Sequence, residues 1–378
     1  MKVLMVNHPD CLRFRGGDMV VLRKLAGALR ARGIEVAECI EAEPDPAGYD
    51  VAHVFNTNPP QAILRQVRSL ERHGVPVVAT TIYHPVSFLW WAEACIRAIF
   101  SSPRPEAEIE QALESLRLRQ LQLSHRDGRS TISVGGTPQS AEYVETQREI
   151  LRHVDHLLPG SYLEMAEVMR TLRVADKPFT VVPFGIDAAE FCGADPGPFA
   201  AKYGVRDFVL QVSRFDGLKN QLLLLRALAA TQLPIVLVGE LMDPAYGELC
   251  RAQASERVTI LPYLPPEELR GAYAAARVHV LPSFMETCGL VTMEAALADC
   301  NVVASCTGNE VEYFRDLAYY CDPVDVGSIR SAVIRAYDNY ADDAGRRERL
   351  RKLIVRKYSW PAAAEAVAAV YEGLSGGD

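Results

Sequence analysis

The stretch FVLQVSRFDGLKNQLLLLRALAATQLPIVLVG, residues 208–239, decides the fold. An apolar run over 208–213 gives way to a helical pattern over 220–230, and a second apolar run follows over 234–239. Both runs are short and rich in Val, Leu and Ile, without strict polar alternation. That is the pattern of strands buried on both faces of a sheet. Parallel strands need a crossover between them, and the helical stretch supplies it. The segment reads as one βαβ unit.

The same rhythm extends in both directions. Downstream it gives a helix near 244–256, a strand at 258–262, a helix at 266–276, a strand at 278–283, a helix at 289–299 and a strand at 301–306. Upstream lies DAAEFCGADPGPFAAKYGV, which carries Pro and Gly and has no clear period, so it reads as a linker with a domain boundary near 187–205. Before it comes an earlier series: strands at 2–7, 34–40, 50–56 and 75–82, with helices at 17–33 and 59–73. Residues 86–128 read as helices interrupted by SSPRPE, and 125–140 as loop with room for a short hairpin. The fold class expected is α/β, with two tandem Rossmann-like doubly wound domains facing a central cleft. The expected domains are 1–187, 188–357 and an Ala-rich C-terminal helix, 358–378, packing back on the first.

Length and composition agree with this division. A chain of 378 residues exceeds what one core usually serves, and 49% hydrophobic with 23% charged residues is an ordinary globular balance. The net charge of -8 argues against nucleic acid as a partner. Residues 1–183 are nearly balanced, with 21 basic and 22 acidic side chains, so the acidity sits in the second half. Nine cysteines with no C-x-x-C pair suggest reduced thiols and neither a disulfide framework nor a zinc site. The start MKVLMVNHP reads as a buried strand, and FLWWAEACIRAIF is broken by Glu93 and Arg97, so no membrane span is expected. The expected localisation is the cytoplasm, with the inner face of the membrane as a place of peripheral contact.

Ligands of doubly wound sheets bind beyond the carboxyl ends of the strands, so the strand-to-helix junctions carry the candidates. In RFRGGDM (13–19), Gly16 and Gly17 precede a helix whose free N–H groups suit a phosphate, or else they make a plain turn. In SRFDGLKNQ (213–221), Arg214 and Lys219 suit a diphosphate, and a solvated loop accounts for them as cheaply. In SFMETCGLVTMEAALADC (283–300), Glu286 lies in a loop and Glu294 inside an apolar helix. A carboxylate there needs a partner; ligand hydroxyls or solvent on one polar side would both serve. The N–H groups of Thr287, Cys288 and Gly289 open that helix. His84, in TTIYHPVSF (80–88), follows a strand and reads as structural or functional, while His53 reads as a core residue. No His-x-x-x-His, D-x-D or carboxylate cluster indicates a metal.

Taken in order, these segments resemble the GT-B fold retaining glycosyltransferases of glycosyltransferase family 4, across nearly the whole chain. PSFMETCGLVTMEAALA (282–298) resembles the family's P-S-x-x-E-x-F-G-L-x-x-x-E-A-x-A, with Glu286 and Glu294 as E-x7-E. The Arg-x4-Lys of SRFDGLKN, VVPFGID (181–187), the Gly-Gly loop, VDHLLPGS and the tail YSWPAAAEAVAAVYEGL match in place. The resemblance implies that Arg214 and Lys219 hold a donor diphosphate, Glu294 grips ribose hydroxyls, and Glu286 faces the transferred sugar. It further implies backbone contacts from Cys288, Gly289 and Leu290, phosphate approach by Gly16 and Gly17, His84 beside the sugar, and the loop near Tyr263 at the base. No cofactor and no metal are implied. Three departures stand out: Cys288 replaces an aromatic residue or proline, Asn220 a glycine, and Pro85 the Asp of a His-Asp pair.

The expected activity is retaining transfer of a sugar from a UDP- or GDP-linked donor to an acceptor hydroxyl, in cell-surface polysaccharide, lipopolysaccharide or glycolipid synthesis. The alternatives are a sugar-nucleotide-binding regulatory or scaffolding protein without transfer, and a sugar-nucleotide epimerase. The expected partners are the nucleotide-sugar donor and a carbohydrate or lipid-linked acceptor on the N-terminal domain. There, Arg97, Arg104, Arg117, Arg119, Arg126 and Arg129 with Phe88, Trp90 and Trp91 form either a membrane-facing surface or a solvated helix pair with core aromatics.

Overall fold

The computed structural model describes residues 1–12, 17–124 and 138–376. The chain divides into two compact units: Met1–Pro85, Gly135–Ile186 and Lys357–Asp378 form the first, Val86–Val134 and Asp187–Arg356 the second.

The first unit is built on strands β1 (Lys2–Val6), β2 (Glu35–Cys39), β3 (Val51–Phe55), β4 (Val77–Thr80) and β5 (His156–Leu158). They pair in parallel in the order β2-β1-β3-β4-β5. Leu4, Val6, Ala52, Val54, Val77 and Ala79 pack with Ile63, Val67 and Leu70 of the helix Pro60–Glu71 in one core. The C-terminal helix Trp360–Ser375 belongs to this unit. Its Tyr371 hydroxyl lies 2.5 Å from His53 Nδ1, whose Nε2 meets Thr80 Oγ1 at 2.8 Å. Gly185 lets the helix start come close, since a Cβ there would stand 2.3 Å from Trp360 N.

The second unit holds β6 (Phe208–Val212), β7 (Ile235–Val238), β8 (Val258–Leu261), β9 (Ala276–Leu281), β10 (Asn301–Ser305) and β11 (Tyr319–Cys321). The order is β11-β10-β9-β6-β7-β8, again parallel throughout. The chain therefore winds outward from β6 through β7 and β8, then returns to the other side of β6 with β9. The switch point falls between β6 and β9, the place where doubly wound sheets generally receive a ligand.

Three features differ from the sequence reading. The helices Val86–Phe100 and Glu106–Ser124 fall in the second unit, although the sequence placed them in an N-terminal domain ending at 187. The reason is the run Leu222–Leu225 in the helix Gln221–Leu228, all four residues being buried. A helix apolar all round needs cover on both sides; one side lies toward the sheet, and Leu89, Ala92, Ile96, Leu113 and Leu116 join the same core. Second, the presumed linker forms two short helices, Ala188–Phe191 and Gly197–Tyr203. Third, β11 follows the last expected strand; at three residues it is too short to show a period. The hairpin suggested within 125–140 falls mainly outside the described residues.

This packing also uses up much of the suggested basic face. Arg97 pairs with Glu93 at 2.8 Å and with Asp243 at 2.5 Å, and Arg117 with Glu114 and Asp325. Arg104 reaches the Ala98 carbonyl. Trp91 packs on the core, whereas Trp90 is exposed. Arg126 and Arg129 lie outside the described residues, and the side chains of Phe88 and Arg119 are likewise not described. Among the described residues no helix is long and apolar enough to cross a membrane.

Two buried histidines make the fold acid-sensitive. Burial drives both His53 and His279 of β9 from 6.5 down to about 3. A depressed histidine stays neutral in the fold while the unfolded chain takes up a proton. Stability is therefore full above 6.5 and is lost as pH falls from there toward 3. Each histidine costs about 1.4 kcal/mol for every tenfold rise in proton concentration across that window. Neither ring nitrogen of His279 has a partner among the described residues. His279→Leu is expected to flatten the acid loss and to raise stability at neutral pH by about 1–3 kcal/mol, read from urea melts across the pH range.

Candidate active site in the second unit

The loop after β6 is held from several sides. Asp216 caps the 3-10 turn Gly217–Lys219 by accepting from Lys219 N at 3.1 Å. A side chain at Gly217 would have to displace Glu93, whose Cγ would lie 2.3 Å from its Cβ. Gln211 Nε2 donates to Lys219 O at 2.7 Å. Asn220 is left-handed, with φ 61°, and fully buried. Glycine adopts that conformation freely and asparagine is the next most tolerant. Its amide also donates to Pro282 O at 2.9 Å and Pro323 O at 2.7 Å. The asparagine thus does glycine's conformational work and ties down the loop as well.

The loop after β9 meets it across the switch point, where Phe284 N donates to Leu218 O at 3.0 Å. This juxtaposition brings the Lys219 ammonium into an ion pair with the Glu286 carboxylate. Both are largely sheltered, the side chains being 19% and 9% exposed. A third loop, after β10, supports Glu286 from behind. Asn309 N donates to Glu286 O at 2.9 Å, and Gly308 packs so closely that a Cβ would lie 2.9 Å from Glu286 N.

Gly289, left-handed at φ 63°, opens the helix Leu290–Leu297. A Cβ here would stand 2.1 Å from Glu310 Oε1, so only glycine fits. Glu310 is fully buried and its Oε1 accepts from Thr292 Oγ1 at 2.9 Å. Burial and the neighbouring Glu286 charge push its carboxyl well above the usual range, which favours the neutral acid. Cys288 is buried and Leu290 half-buried. Glu294 is half-buried and accepts from the Tyr273 hydroxyl at 2.8 Å. Burial and that carboxylate hold the Tyr273 phenol well above its normal value, so it stays a donor. Arg214 is 39% exposed and stands 3.4 Å from Asp216. Tyr263, after β8, is 51% exposed.

Two sequence-derived candidates belong to the first unit. Gly17 begins the helix Gly17–Ala31, and a Cβ there would touch nothing within 4 Å. Nothing among the described residues therefore requires glycine at that position; Gly16 lies outside them. His84 is half-buried in the loop after β4. Fully buried Glu164 anchors this loop by accepting from Thr81 Oγ1 and, at 2.8 Å, from Tyr83 N. Between them Ile82 sits at φ 40°, an unfavourable value for a β-branched residue.

Of the sequence candidates, the structure pairs Lys219 with Glu286 and sets Glu294 against Tyr273; the supports Asp216, Asn220, Tyr273 and Glu310 are not among those candidates. Glu310 follows a strand and starts a short helix, so the junction argument applied to TGNEVEYF would have reached it. Tyr273 lies in mid-helix and has no such signal. Among the described residues no three His, Cys, Asp or Glu side chains gather as a metal would require.

Residues 199–360 match the family described as glycosyl transferases group 1. A D-inositol 3-phosphate glycosyltransferase of Nocardia farcinica is 26% identical over 274 residues, 64% of this chain and 58% of the relative. The chain thus matches less than two thirds of that relative's length. Sucrose-phosphate synthase from Thermosynechococcus elongatus superposes with a TM-score of 0.73 at 18% identity, over 99% of each chain. Anabaena Alr3699/HepE in complex with UDP-glucose gives 0.72 at 16% identity, over 99% of this chain and 100% of that one. The fold is GT-B. The segment that builds the site above, residues 199–360, is thus similar to the group 1 glycosyl transferases.

Proposed function

We propose that the protein is a retaining, metal-independent glycosyltransferase. It moves a sugar from a UDP- or GDP-linked donor to an acceptor hydroxyl, working in the cytoplasm on cell-surface polysaccharide, lipopolysaccharide or glycolipid. The observation that carries this reading is the Lys219–Glu286 pair at the β6/β9 switch point. A lysine is a mobile point charge. An incoming diphosphate draws it, together with Arg214, and leaves the Glu286 carboxylate to face sugar hydroxyls. Glu294, oriented by Tyr273, takes the ribose hydroxyls, and Tyr263 lies toward the base. The N–H groups of Cys288, Gly289 and Leu290 contact sugar and phosphate; Gly17 and His84 keep the donor roles the family resemblance implies.

In the step itself the bond from the sugar to the diphosphate oxygen breaks and the acceptor oxygen bonds to the same face. The acceptor proton goes to the departing phosphate oxygen. The protein's main contribution is to stabilise the charge growing on the diphosphate. Glu286 acts as a hydroxyl clamp and forms no covalent bond, so a sugar trapped on Glu286 and seen by mass spectrometry would overturn that part. The Anabaena neighbour's complex with UDP-glucose makes UDP donors the first to try. The experiment is a panel of UDP- and GDP-sugars assayed for nucleoside diphosphate release with and without acceptors, with the product anomer read by NMR. Release from one donor class with retained configuration is expected. No release from any donor contradicts transfer, and an epimerised nucleotide sugar would point to isomerisation.

A further inference from the structure

The Lys219–Glu286 pair has a neighbour that the transfer step leaves unused. Glu310 lies at the start of the helix Glu310–Phe314, with no exposed surface. Its Oε1 accepts from Thr292, and its backbone neighbours Gly308 and Asn309 press against Glu286. Its Oε2 is buried and no group among the described residues stands in hydrogen-bond geometry with it, although the Ser305 backbone also acts on this carboxyl. The ionisable groups that act on Glu310 or feel its charge are Glu286, Lys219 and Cys321.

An unpartnered carboxyl oxygen in such a place is costly unless it has a use. Two carboxyls and one ammonium share this corner, and at rest Lys219 neutralises Glu286. When the ammonium turns to a diphosphate, Glu286 loses its counter-charge. Glu286 is the strongest charge acting on Glu310, and two carboxyls that interact in this way readily share one proton.

We propose that Glu310 is a proton-holding positioning residue: a neutral carboxylic acid whose Oε2–H becomes the donor that steadies the Glu286 carboxylate when a nucleoside diphosphate draws Lys219 away. The inference rests on the donor-site reading above. No covalent bond changes; the proton stays on the Glu310–Glu286 pair, which carries one negative charge toward the sugar where two ionised carboxylates would carry two.

The test uses UDP and GDP as probes and two variants. Glu310→Gln keeps a donor on a side chain of the same length, and Glu310→Leu removes it. The infrared spectrum of the wild type at neutral pH should contain a protonated-carboxyl stretch that Glu310→Gln abolishes and that shifts on nucleotide binding. Glu310→Leu should lose about 10- to 100-fold in kcat with little change in nucleotide affinity, and Glu310→Gln should recover most of that loss. Activity of the wild type should fall on an alkaline limb that Glu310→Gln lacks. Stability gives a further readout. A carboxyl held above its unfolded value of 4.5 makes the fold less stable as pH climbs past that value, a slope that Glu310→Gln removes. Absence of a Glu310-dependent carboxyl band, wild-type turnover in Glu310→Leu, or equal damage in both variants overturns the proposal. Should Glu310→Leu not fold, the band and the alkaline limb decide. If neither nucleotide binds, the donor-site reading and this role fall together, while the resting band still reports separately on the proton.

Discussion

Lys219→Ala is expected to lower kcat by about 10²- to 10³-fold, the usual cost of removing a preorganised group from a developing anion. The ammonium is placed for that task by its backbone: Asp216 caps the turn, Gln211 holds the Lys219 carbonyl, and Asn220 pins the next residue to two other loops. Charge on the diphosphate grows as the sugar departs, so the loss should appear in kcat more than in KM. Arg214 remains in the variant and retains part of the donor affinity. Stability should also fall, by up to about 3 kcal/mol, because the sheltered Glu286 loses its counter-ion. Steady-state release of nucleoside diphosphate, beside a urea melt, separates the two effects. Unchanged turnover would remove Lys219 from the reaction.

Gly239→Ala is expected to be the most damaging single methyl in the second unit. Gly239 follows β7 at φ 158°, and a Cβ there would lie 1.8 Å from Ser213 O and 2.7 Å from Ser213 C. Those are backbone atoms, and their positions are tied on every side. Ser213 N donates to Val238 O at 2.9 Å, Gly239 N to Leu261 O at 3.2 Å, and Phe215 N to Glu240 O at 2.8 Å. Relief requires the strand end to move, at a combined cost of strain and overpacking of about 3–5 kcal/mol. The loop that would yield leads directly into Arg214, so nucleotide affinity should fall along with stability. Chemical denaturation and nucleotide titration of the same variant check both; a denaturation midpoint like the wild type's would contradict the close approach.

The sequence disclosed what depends on local pattern. Short apolar runs alternating with helical stretches announced parallel sheets, and strand-to-helix junctions pointed to Lys219, Glu286 and Glu294. It did not disclose what depends on distant partners. Glu310 gains its meaning from Gly289 and Thr292, and Tyr273 from Glu294, in each case through folding and without adjacency. The two helices over 86–124 carry apolar faces that fit any core. Only the buried Leu222–Leu225 run, more than a hundred residues from the start of those helices, accounts for their place in the second unit. Asn220 shows the reverse case. In sequence it looks like a departure from the family pattern, and in structure it takes the left-handed turn that a glycine would take.

In the function proposed above, the β6/β9 switch point of the second unit binds a nucleoside diphosphate through Lys219, Glu286 and Glu294. Calorimetric titration of UDP and GDP into the wild type and Glu294→Ala tests it most directly. The wild type is expected to bind one of the two nucleotides, and Glu294→Ala, still folded, to bind it at least about tenfold more weakly, as the loss of charge-assisted hydrogen bonds to ribose requires. Wild type that binds neither nucleotide, or a Glu294→Ala variant that binds as tightly as the wild type, would contradict it.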